Sequence, residues 1–352
     1  MKRLPIAIVL LATTGAPAAL GCTSMIVGAQ ASASGRPLLW KHRDSSGDMN
    51  FVEHTAATDT THAFSALYNG GDSLLTQAWA GVNDAGFAIM NTASYNLAPD
   101  TARLRDREGI VMTLALRKCT DADDFARLLD TLPRPMGVQA NFGVIDAHGG
   151  AAYFETHDHG YRRYDVNESP DGVLIRTNYS ISGTDGMGMG YIRYLNAEHL
   201  AAEAIKERRV TPALLTEVLS RSFYHSLLGI DCSADTTVRW VVDQDFIPRH
   251  SSVASIVIEG TAPGGEEEPR MWTVVGYPAA GHVVRATALH VPDELRPTMP
   301  GFTSPAAVEN KKLMKRVFPI EAGSGQRYID MDALRPIMIS EHKKSMKAYE
   351  NK

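Results

Sequence analysis

Apolar residues recur along this chain with two different periods. Between residues 22 and 91 they alternate with polar residues over short stretches bounded by glycine and asparagine turns, which is typical of half-buried strands. We therefore predict strands over 23–29, 35–40, 63–68, 75–82 and 86–91.

Further along, the chain switches between strand-like and helix-like spacing. Apolar residues at helical spacing, together with caps and breakers such as Thr120 and Pro133, mark the helical stretches. Helices are predicted over 109–119, 122–132, 191–206, 211–223 and 331–352. Strands are predicted over 141–146, 151–156, 160–165, 173–177, 253–259 and 271–275.

The order of these elements predicts the fold class. Strands and helices come in groups rather than in strict alternation, which favours helices packed against antiparallel sheets over a doubly wound parallel sheet. The chain has no repeat and no obvious linker. We therefore predict an α+β protein in which residues 22–352 form one domain.

Composition changes this picture little, but it excludes several classes of protein. Hydrophobic residues make up 44% of the chain and charged residues 21%, which are ordinary globular values and exclude a disordered or fibrous chain. The formal net charge is -5 and no basic stripe is present, so a nucleic-acid partner is not expected. No stretch is long and apolar enough for a membrane span.

The first 21 residues are typical of a secretory signal peptide. Lys2 and Arg3 precede an apolar run, and Ala19 and Gly21 place small residues at positions -3 and -1 before Cys22. We therefore expect a periplasmic or extracellular protein whose mature chain begins at Cys22.

The chain has three cysteines, an odd number for an exported protein, so at least one thiol is unpaired. Cys119 lies in an apolar helical pattern and is most simply a buried core thiol. A disulfide between Cys119 and Cys232 is the alternative.

Cys22 allows three interpretations. As a mature N-terminal residue it would supply a thiol nucleophile together with its own α-amine as the base. It could also be an incidental thiol at a signal junction, or the lipid-modified residue of a bacterial lipoprotein, in which the amine is acylated. Position alone does not separate these three.

The residues after Cys22 carry a resemblance to a known family. The string CTSMIVG (22–28), followed by ASGRPLLWKHRD (33–44), resembles the start of the N-terminal-nucleophile (Ntn) hydrolases that cleave linear amides. Among these it is similar to the choloylglycine hydrolases and the acyl-coenzyme A:6-aminopenicillanic acid acyltransferase family. The resemblance implies Cys22 as nucleophile and Asp44 as the group that holds its ammonium. Lys41 stands where that pattern has an arginine, and Arg43 is a second nearby cation.

The resemblance continues in later segments of the chain. GVNDAGFAIMN (81–91) implies Asn91 as an oxyanion-hole residue, with Asn96 as the alternative. GVLIRTNYS (172–180), after NFGVIDAHGGAAYFET (141–156), implies Asn178, and GYIRYLNAEHL (190–200) implies Arg193. TVRWVVDQDFIPRHSSVASIVIEG (237–260) is similar to the late strand region, whereas residues 290–352 form a C-terminal extension that the resemblance does not cover.

The resemblance implies an αββα four-layer sandwich and an exported cysteine amidase that works without a cofactor or metal. Lys41 and Arg43 are then expected to bind the substrate, a small-molecule amide. Bile-salt conjugates, penicillins, N-acyl amino acids and small peptides all remain open, as do acyl transfer in place of hydrolysis and a homo-oligomeric state. The alternative from a different class is a lipid-anchored surface or binding protein modified at Cys22.

Two other patterns have chemical interpretations of their own. His148, His157 and His159 could suggest zinc, but they lack a tight ligand spacing. The glycine-rich stretch 183–190 is more typical of a flexible substrate loop, and Met187, Met189 and Tyr191 could then line an apolar acyl pocket.

Overall fold

The computed structural model describes residues 21–97, 105–299, 302–320 and 327–350. The predicted signal peptide, apart from Gly21, lies outside these residues. Within them, seventeen strands are numbered β1 to β17 and five α-helices α1 to α5 along the chain.

One sheet joins strands from both ends of the chain. Its six antiparallel strands are β1 (Thr23–Val27), β2 (Leu38–Asp44), β10 (Val173–Arg176), β14 (Ser252–Glu259), β15 (Arg270–Val275) and β16 (Val284–Thr287). Their spatial order is β10-β1-β2-β14-β15-β16. The strand that follows Cys22 therefore lies inside the sheet, paired with β10 on one side and β2 on the other.

The second sheet is a seven-stranded meander in which neighbours in sequence pair in space. Its strands are β3 (Asn50–Thr55), β4 (Phe64–Asn69), β5 (Ala80–Asn83), β6 (Ala88–Ala93), β7 (Ala140–Ile145), β8 (Ala151–His157) and β9 (Gly160–Asp165). Short turns connect most of these strands, as expected for an antiparallel sheet.

Helices cover the outer face of each sheet. The helices are α1 (Glu108–Lys118), α2 (Ala122–Thr131), α3 (Tyr191–Lys206), α4 (Pro305–Val317) and α5 (Met331–Glu350). Met112 of α1 and Phe125 of α2 pack against Phe142 of the seven-stranded sheet. Ala197 of α3 and Tyr349 of α5 pack in the cluster that contains Trp40 of the six-stranded sheet.

A third apolar cluster fills the space between the sheets. It contains Ile26 and Ile256 from one sheet and Leu67, Met90 and Tyr153 from the other, all fully buried. The alternation along β1 explains the layering, because Ile26 lies in this cluster while Met25 and Val27 lie in the cluster under α3. The molecule is therefore a four-layer αββα sandwich, and the predicted α+β fold class is confirmed.

Several element boundaries differ from the prediction. The strand predicted over 75–82 begins only at Ala80, and β3, β16 and α4 were not predicted. The helix predicted over 211–223 is a π-helical turn, Leu214–Val218, followed by a 3₁₀ turn, Leu219–Arg221. A π turn keeps a helix-like apolar spacing, so the sequence pattern does not separate it from an α-helix.

The C-terminal extension packs on the same body. β17 (Tyr328–Asp330) pairs with β13 (Trp240–Val242), and a small apolar cluster joins Phe246 and Tyr277 to Leu334 and Ile337 of α5. A further short pair, β11 (Tyr224–His225) with β12 (Ile230–Asp231), lies between α3 and β13 in the chain.

All three cysteines are buried free thiols, so the alternative of a disulfide between Cys119 and Cys232 is wrong in this structure. No helix in the described part of the chain has the length and apolar character that crossing a membrane requires.

Candidate active site

Cys22 lies directly before β1, at the wall of a cavity of about 520 Å³. Its side chain is largely buried, and its Sγ lies 4.0 Å from the backbone oxygen of Asp44. The two sheets bring residues from 22–44 and 79–91 together around this cavity. Its lining includes Cys22, Lys41, Arg43, Asp44, Trp79 and Asn91.

Asp44 is held by two residues from the other end of the chain. Arg249 pairs with one carboxylate oxygen, and the Ser252 hydroxyl donates to the other at 2.6 Å. The same Arg249 nitrogen donates to the carbonyl oxygen of Gly21 at 2.8 Å. The Asp44 carboxylate therefore lies beside the peptide bond that precedes Cys22.

Arg249 and Ser252 are site residues that the sequence did not reveal. Both occur in the segment 237–260, whose resemblance to the family indicates only a late strand region. Both residues lie in the string PRHSS (248–252), but no local pattern there predicts a contact with Asp44, which precedes Ser252 by 208 positions.

His42 completes the network behind Asp44. Its Nε2 lies 2.9 Å from the Ser252 hydroxyl oxygen, which also accepts from the backbone N–H of Arg249. Because the single Ser252 hydroxyl proton goes to Asp44, His42 must donate through Nε2–H. Burial lowers the pKa of His42 to about 4, so the ring is neutral at pH 7.

Asn91 and Lys41 form a hydrogen-bonded pair at the cavity wall. The Lys41 Nζ donates to Asn91 Oδ1 and to the backbone oxygen of Trp79, both at 2.7 Å. Lys41 is almost completely buried, and burial lowers its pKa to about 7, against the opposing attraction of Cys22.

Asn178 and Arg193 form a second pair of the same kind. The Arg193 guanidinium donates to Asn178 Oδ1 at 2.6 Å, to the Cys22 backbone oxygen at 2.5 Å and to the Thr23 hydroxyl at 3.0 Å. Asn178 Nδ2 in turn donates to the oxygen of Ala93 at 2.8 Å. Burial lowers the pKa of Arg193 only to about 10, so it stays charged at neutral pH.

The structure thus brings together all five predicted catalytic residues. These are Cys22, Asp44, Asn91, Asn178 and Arg193. Asn96, the alternative to Asn91, lies elsewhere: its side chain holds the loop after Asn178 through Ser180 and Thr184. Asn96 therefore stabilises that loop, whereas Asn91 lines the cavity.

Arg43 is the second predicted substrate-binding cation. Its guanidinium donates to Asn50 Oδ1 and Asn69 Oδ1, both at 2.8 Å, and lies 4.8 Å from the centre of the Trp79 ring. Neither Arg43 nor Lys41 makes an ion pair within the described residues, although both are buried. Two buried cations without a carboxylate partner give this side of the cavity a positive character.

The glycine-rich stretch 183–190 does not supply the predicted acyl pocket. Met187 and Met189 are 65% and 46% exposed, and neither lines the cavity at Cys22. No group of three potential metal ligands occurs among the described residues, so the histidines at 148, 157 and 159 do not form a cluster there.

Comparison with known proteins identifies one family model. Residues 34–201 match the model described as acyl-coenzyme A:6-aminopenicillanic acid acyl-transferase. This match confirms the resemblance predicted from the sequence. Among curated proteins, no sequence matches the chain.

Solved structures include remote likenesses. An N-acylethanolamine-hydrolyzing acid amidase ortholog from Caenorhabditis elegans is 14% identical, with TM-score 0.46, covering 68% of this chain and 92% of that one. A conjugated bile acid hydrolase variant from Clostridium perfringens is 11% identical, with TM-score 0.45, covering 76% and 92%. Penicillin V acylase from Agrobacterium tumefaciens is 11% identical, with TM-score 0.39, covering 76% and 86%.

Proposed function

We propose that this chain, an Ntn-type enzyme of the amidase and acylase family, hydrolyses a linear amide through a thioester on Cys22. One observation carries the proposal. The Cys22 thiol shares a cavity with Asp44 and Asn91, and each of the two site asparagines has its carbonyl oxygen held by a buried cation. Such an arrangement suits a nucleophile beside preorganised oxyanion donors.

The proposed maturation step removes residues 1–21 during export to the periplasm or the extracellular space. It frees the α-amine of Cys22, whose ordinary pKa of about 8 suits a base near neutral pH. The Arg249 nitrogen that pairs with Asp44 also binds the Gly21 carbonyl, which supports a role for Asp44 in holding the new ammonium.

The proposed reaction has two steps. Cys22 Sγ attacks the amide carbonyl while its proton passes to the α-amine, and the oxyanion receives hydrogen bonds from Asn91 and Asn178. The carbon–nitrogen bond then breaks, and the α-amine returns the proton to the leaving nitrogen. Water next attacks the thioester, which releases the acid and restores the thiol.

The charges on one side of the cavity support a substrate with an anionic group. Lys41 and Arg43 line that side as buried cations that make no ion pair in the described part of the chain, whereas the carboxylates of Asp44, Asp106 and Glu108 line other parts of the cavity. An acyl–amino acid, whose leaving amine carries a carboxylate, fits this character better than a neutral amide.

Acyl transfer is a second candidate reaction, because the matched family model is that of an acyl-transferase. It would replace water by an acceptor amine in the second step. Adding an amine to the assay separates the two, since transfer gives a new amide in place of the free acid.

The test compares wild type with Cys22→Ala on a panel of N-acyl amino acids, with Cys232→Ala as the matched control. Cys232 is also a buried free thiol, but it lies in a separate apolar cluster. We expect Cys22→Ala to abolish turnover and Cys232→Ala to retain it. Turnover that survives in Cys22→Ala contradicts the proposal.

Intact mass and N-terminal sequencing of the exported protein test the maturation step. We expect a free Cys22 at the N-terminus and, on rapid quenching with substrate, an added acyl mass. A lipid adduct or a blocked amine on Cys22 would overturn the mechanism and favour the lipid-anchored alternative.

A further inference from the structure

We propose that Lys41 is a positioning residue whose ammonium orients the Asn91 amide and makes the oxyanion donor dependent on pH. The inference rests on the proposed function, in which Asn91 binds the oxyanion. It concerns the orientation of the Asn91 amide and its dependence on pH, which neither the nucleophile nor the substrate determines.

Lys41 sets the direction of the Asn91 amide. An ammonium has three donors and no acceptor, so the atom of Asn91 that faces Lys41 at 2.7 Å must be the carbonyl oxygen. The flipped amide would place its NH₂ group against the ammonium. With Oδ1 held by Lys41, both Nδ2 protons are directed away from it and are available to a substrate oxygen.

The setting of this ammonium is unusual. Its two acceptors are neutral, the Trp79 carbonyl and the Asn91 amide. The charged and titratable groups that act on it are Cys22 from before β1, Arg43 from β2 and Glu108 from α1. The same cavity is also lined by Arg105, Asp106, Asp44 and Tyr95.

Burial dominates over these charges. Arg43 lowers the pKa of Lys41 further, while Cys22 and Glu108 raise it, and the outcome is a pKa of about 7. Lys41 therefore changes charge in the pH range where the enzyme is expected to work.

When Lys41 loses its proton, it no longer restricts the Asn91 amide to one orientation. A neutral amine has a lone pair and can accept from Asn91 Nδ2, so it no longer excludes the flipped amide. Its donated hydrogen bond is also weaker, because charge-assisted hydrogen bonds are about twice as strong as neutral ones. The Asn91 donor is thus expected to weaken as pH rises through about 7.

The pair formed by Asn178 and Arg193 provides an internal contrast. Its geometry is the same, with a buried cation donating to the amide oxygen, but the pKa of Arg193 lies at about 10. Only the Asn91 side of the oxyanion site should therefore respond to pH near neutrality.

The activity test measures kcat/KM from about pH 5.5 to 9.5 for wild type, Lys41→Arg and Lys41→Met. An exposed lysine replaced in the same way, Lys312→Arg, is the control. The free α-amine gives every protein a rising limb, because it must be neutral to act as base. Because the α-amine, with its ordinary pKa of about 8, raises activity over the same range, the Lys41 effect is read from the ratio of wild type to Lys41→Arg. We expect this ratio of kcat/KM values to fall as pH rises through about 7, with at least about a tenfold loss by pH 9, within the 10²–10³-fold value of one oxyanion donor.

In Lys41→Arg activity should follow the α-amine alone, because a guanidinium keeps its proton and can still donate to Asn91. In Lys41→Met activity should be low at every pH. A ratio of wild type to Lys41→Arg that stays constant from about pH 5.5 to 9.5 overturns the inference.

A second readout does not depend on turnover. The Asn91 side-chain amide, assigned by its loss in Asn91→Asp, is followed by ¹⁵N NMR over the same pH range. We expect its shift to titrate near pH 7 in wild type and to stay constant in Lys41→Arg. Titration without amidase activity would leave the coupling of the Asn91 amide to Lys41 standing and refute the proposed function. Cys22-dependent activity without titration of the Asn91 amide would refute this inference and leave the proposed function standing.

Discussion

At the residue scale, the position of Asp44 depends on a chain of hydrogen bonds that reaches away from the substrate cavity. Ser252 accepts from His42 Nε2–H and from the Arg249 N–H and donates to Asp44 Oδ1. The Ser252, His42 and Asp44 side chains are all buried, and the other ring nitrogen of His42, Nδ1, has no hydrogen-bond partner among the described residues. Asp44 is therefore fixed by a neutral network as well as by its ion pair with Arg249.

Replacing Ser252 tests this network. In Ser252→Ala the Asp44 oxygen and two N–H donors lose one partner each, which should lower the free energy of unfolding by about 2 kcal/mol. Displacement of Asp44 should also lower kcat, by up to ~10²-fold, with little change in KM.

The neighbouring Ser251→Ala is the matched control, since the contact of Ser251 is made by its backbone oxygen, which accepts from the Ser45 N–H. Urea unfolding and steady-state kinetics measure both effects. Equal stability and equal kcat in the two variants would show that the network does not position Asp44.

Site residues could be predicted from the sequence where they lie next to a recognisable pattern. Cys22 and Asp44 follow from the strings around them, and Asn178 from its own string. The choice between Asn91 and Asn96 could not be made in this way, because each could stand at the end of the same strand. Tertiary contacts distinguish their positions: Lys41 binds Asn91 at the cavity, and Asn96 binds the 180–184 loop, while the oxyanion role of Asn91 stays a prediction.

At the element scale, one buried ion pair connects the two sheets. Glu155 lies on β8 of the seven-stranded sheet, and Arg176 on β10 at the edge of the six-stranded sheet. The Arg176 guanidinium packs 5.0 Å from the ring centres of both Tyr153 and Tyr164. The Glu155 carboxylate also accepts from the backbone N–H groups of 181 and 182, so it fastens the loop that follows Asn178.

Removing this carboxylate should be costly, because it leaves a buried guanidinium without a counter-charge. We expect Glu155→Ala to lower the free energy of unfolding by about 3–5 kcal/mol. Guanidinium-chloride unfolding at pH 7 measures this change in the free energy of unfolding.

The control is Asp123→Asn, which removes an ion pair with Arg163 whose carboxylate is 67% exposed. It should change stability little, because solvent screens such pairs. If the two variants proved equally stable, the buried pair would not be what holds the sheets together.

The elements themselves were predicted to different degrees. α3 was predicted with its observed bounds, since its helical spacing is long and regular. The strand predicted over 75–82 was too long, because the backbone near Trp79 is used by side chains from elsewhere: Lys41 binds its oxygen, and Thr113 binds the N–H of Ala78. Such long-range contacts leave no local pattern in the sequence.

At the scale of the whole molecule, the two ends of the chain complete one sheet. β1 and β2 lie between β10 and β14, so the strand pair next to Cys22 depends on a segment that comes much later in the chain. The family match runs from residue 34 to residue 201 and therefore leaves four of the six strands, β1, β14, β15 and β16, outside it. The resemblance predicted the layers of the fold, but not how the chain beyond residue 286 covers them.

The last helix, α5, covers the outer face of that sheet and carries the final prediction. Tyr349 packs on Trp272 of β15 with ring centres 4.6 Å apart, and its hydroxyl lies 2.6 Å from the Thr216 hydroxyl. One turn earlier, Ser345 Oγ accepts from the Val283 N–H and from Arg221. The C-terminal extension thus covers the apolar cluster on the outer face of the six-stranded sheet, the sheet that contains Asp44.

Tyr349→Ala should therefore lower the free energy of unfolding by about 2–3 kcal/mol, because it removes packing from a partly buried ring and uncovers Trp272. Tyr349→Phe should lose only about 1 kcal/mol, the value of one hydrogen bond. Lys347→Ala, on the exposed side of the same helix, is the control. Calorimetry measures all three, and a Tyr349→Ala protein as stable as Lys347→Ala would mean that α5 rests on the sheet without stabilising it.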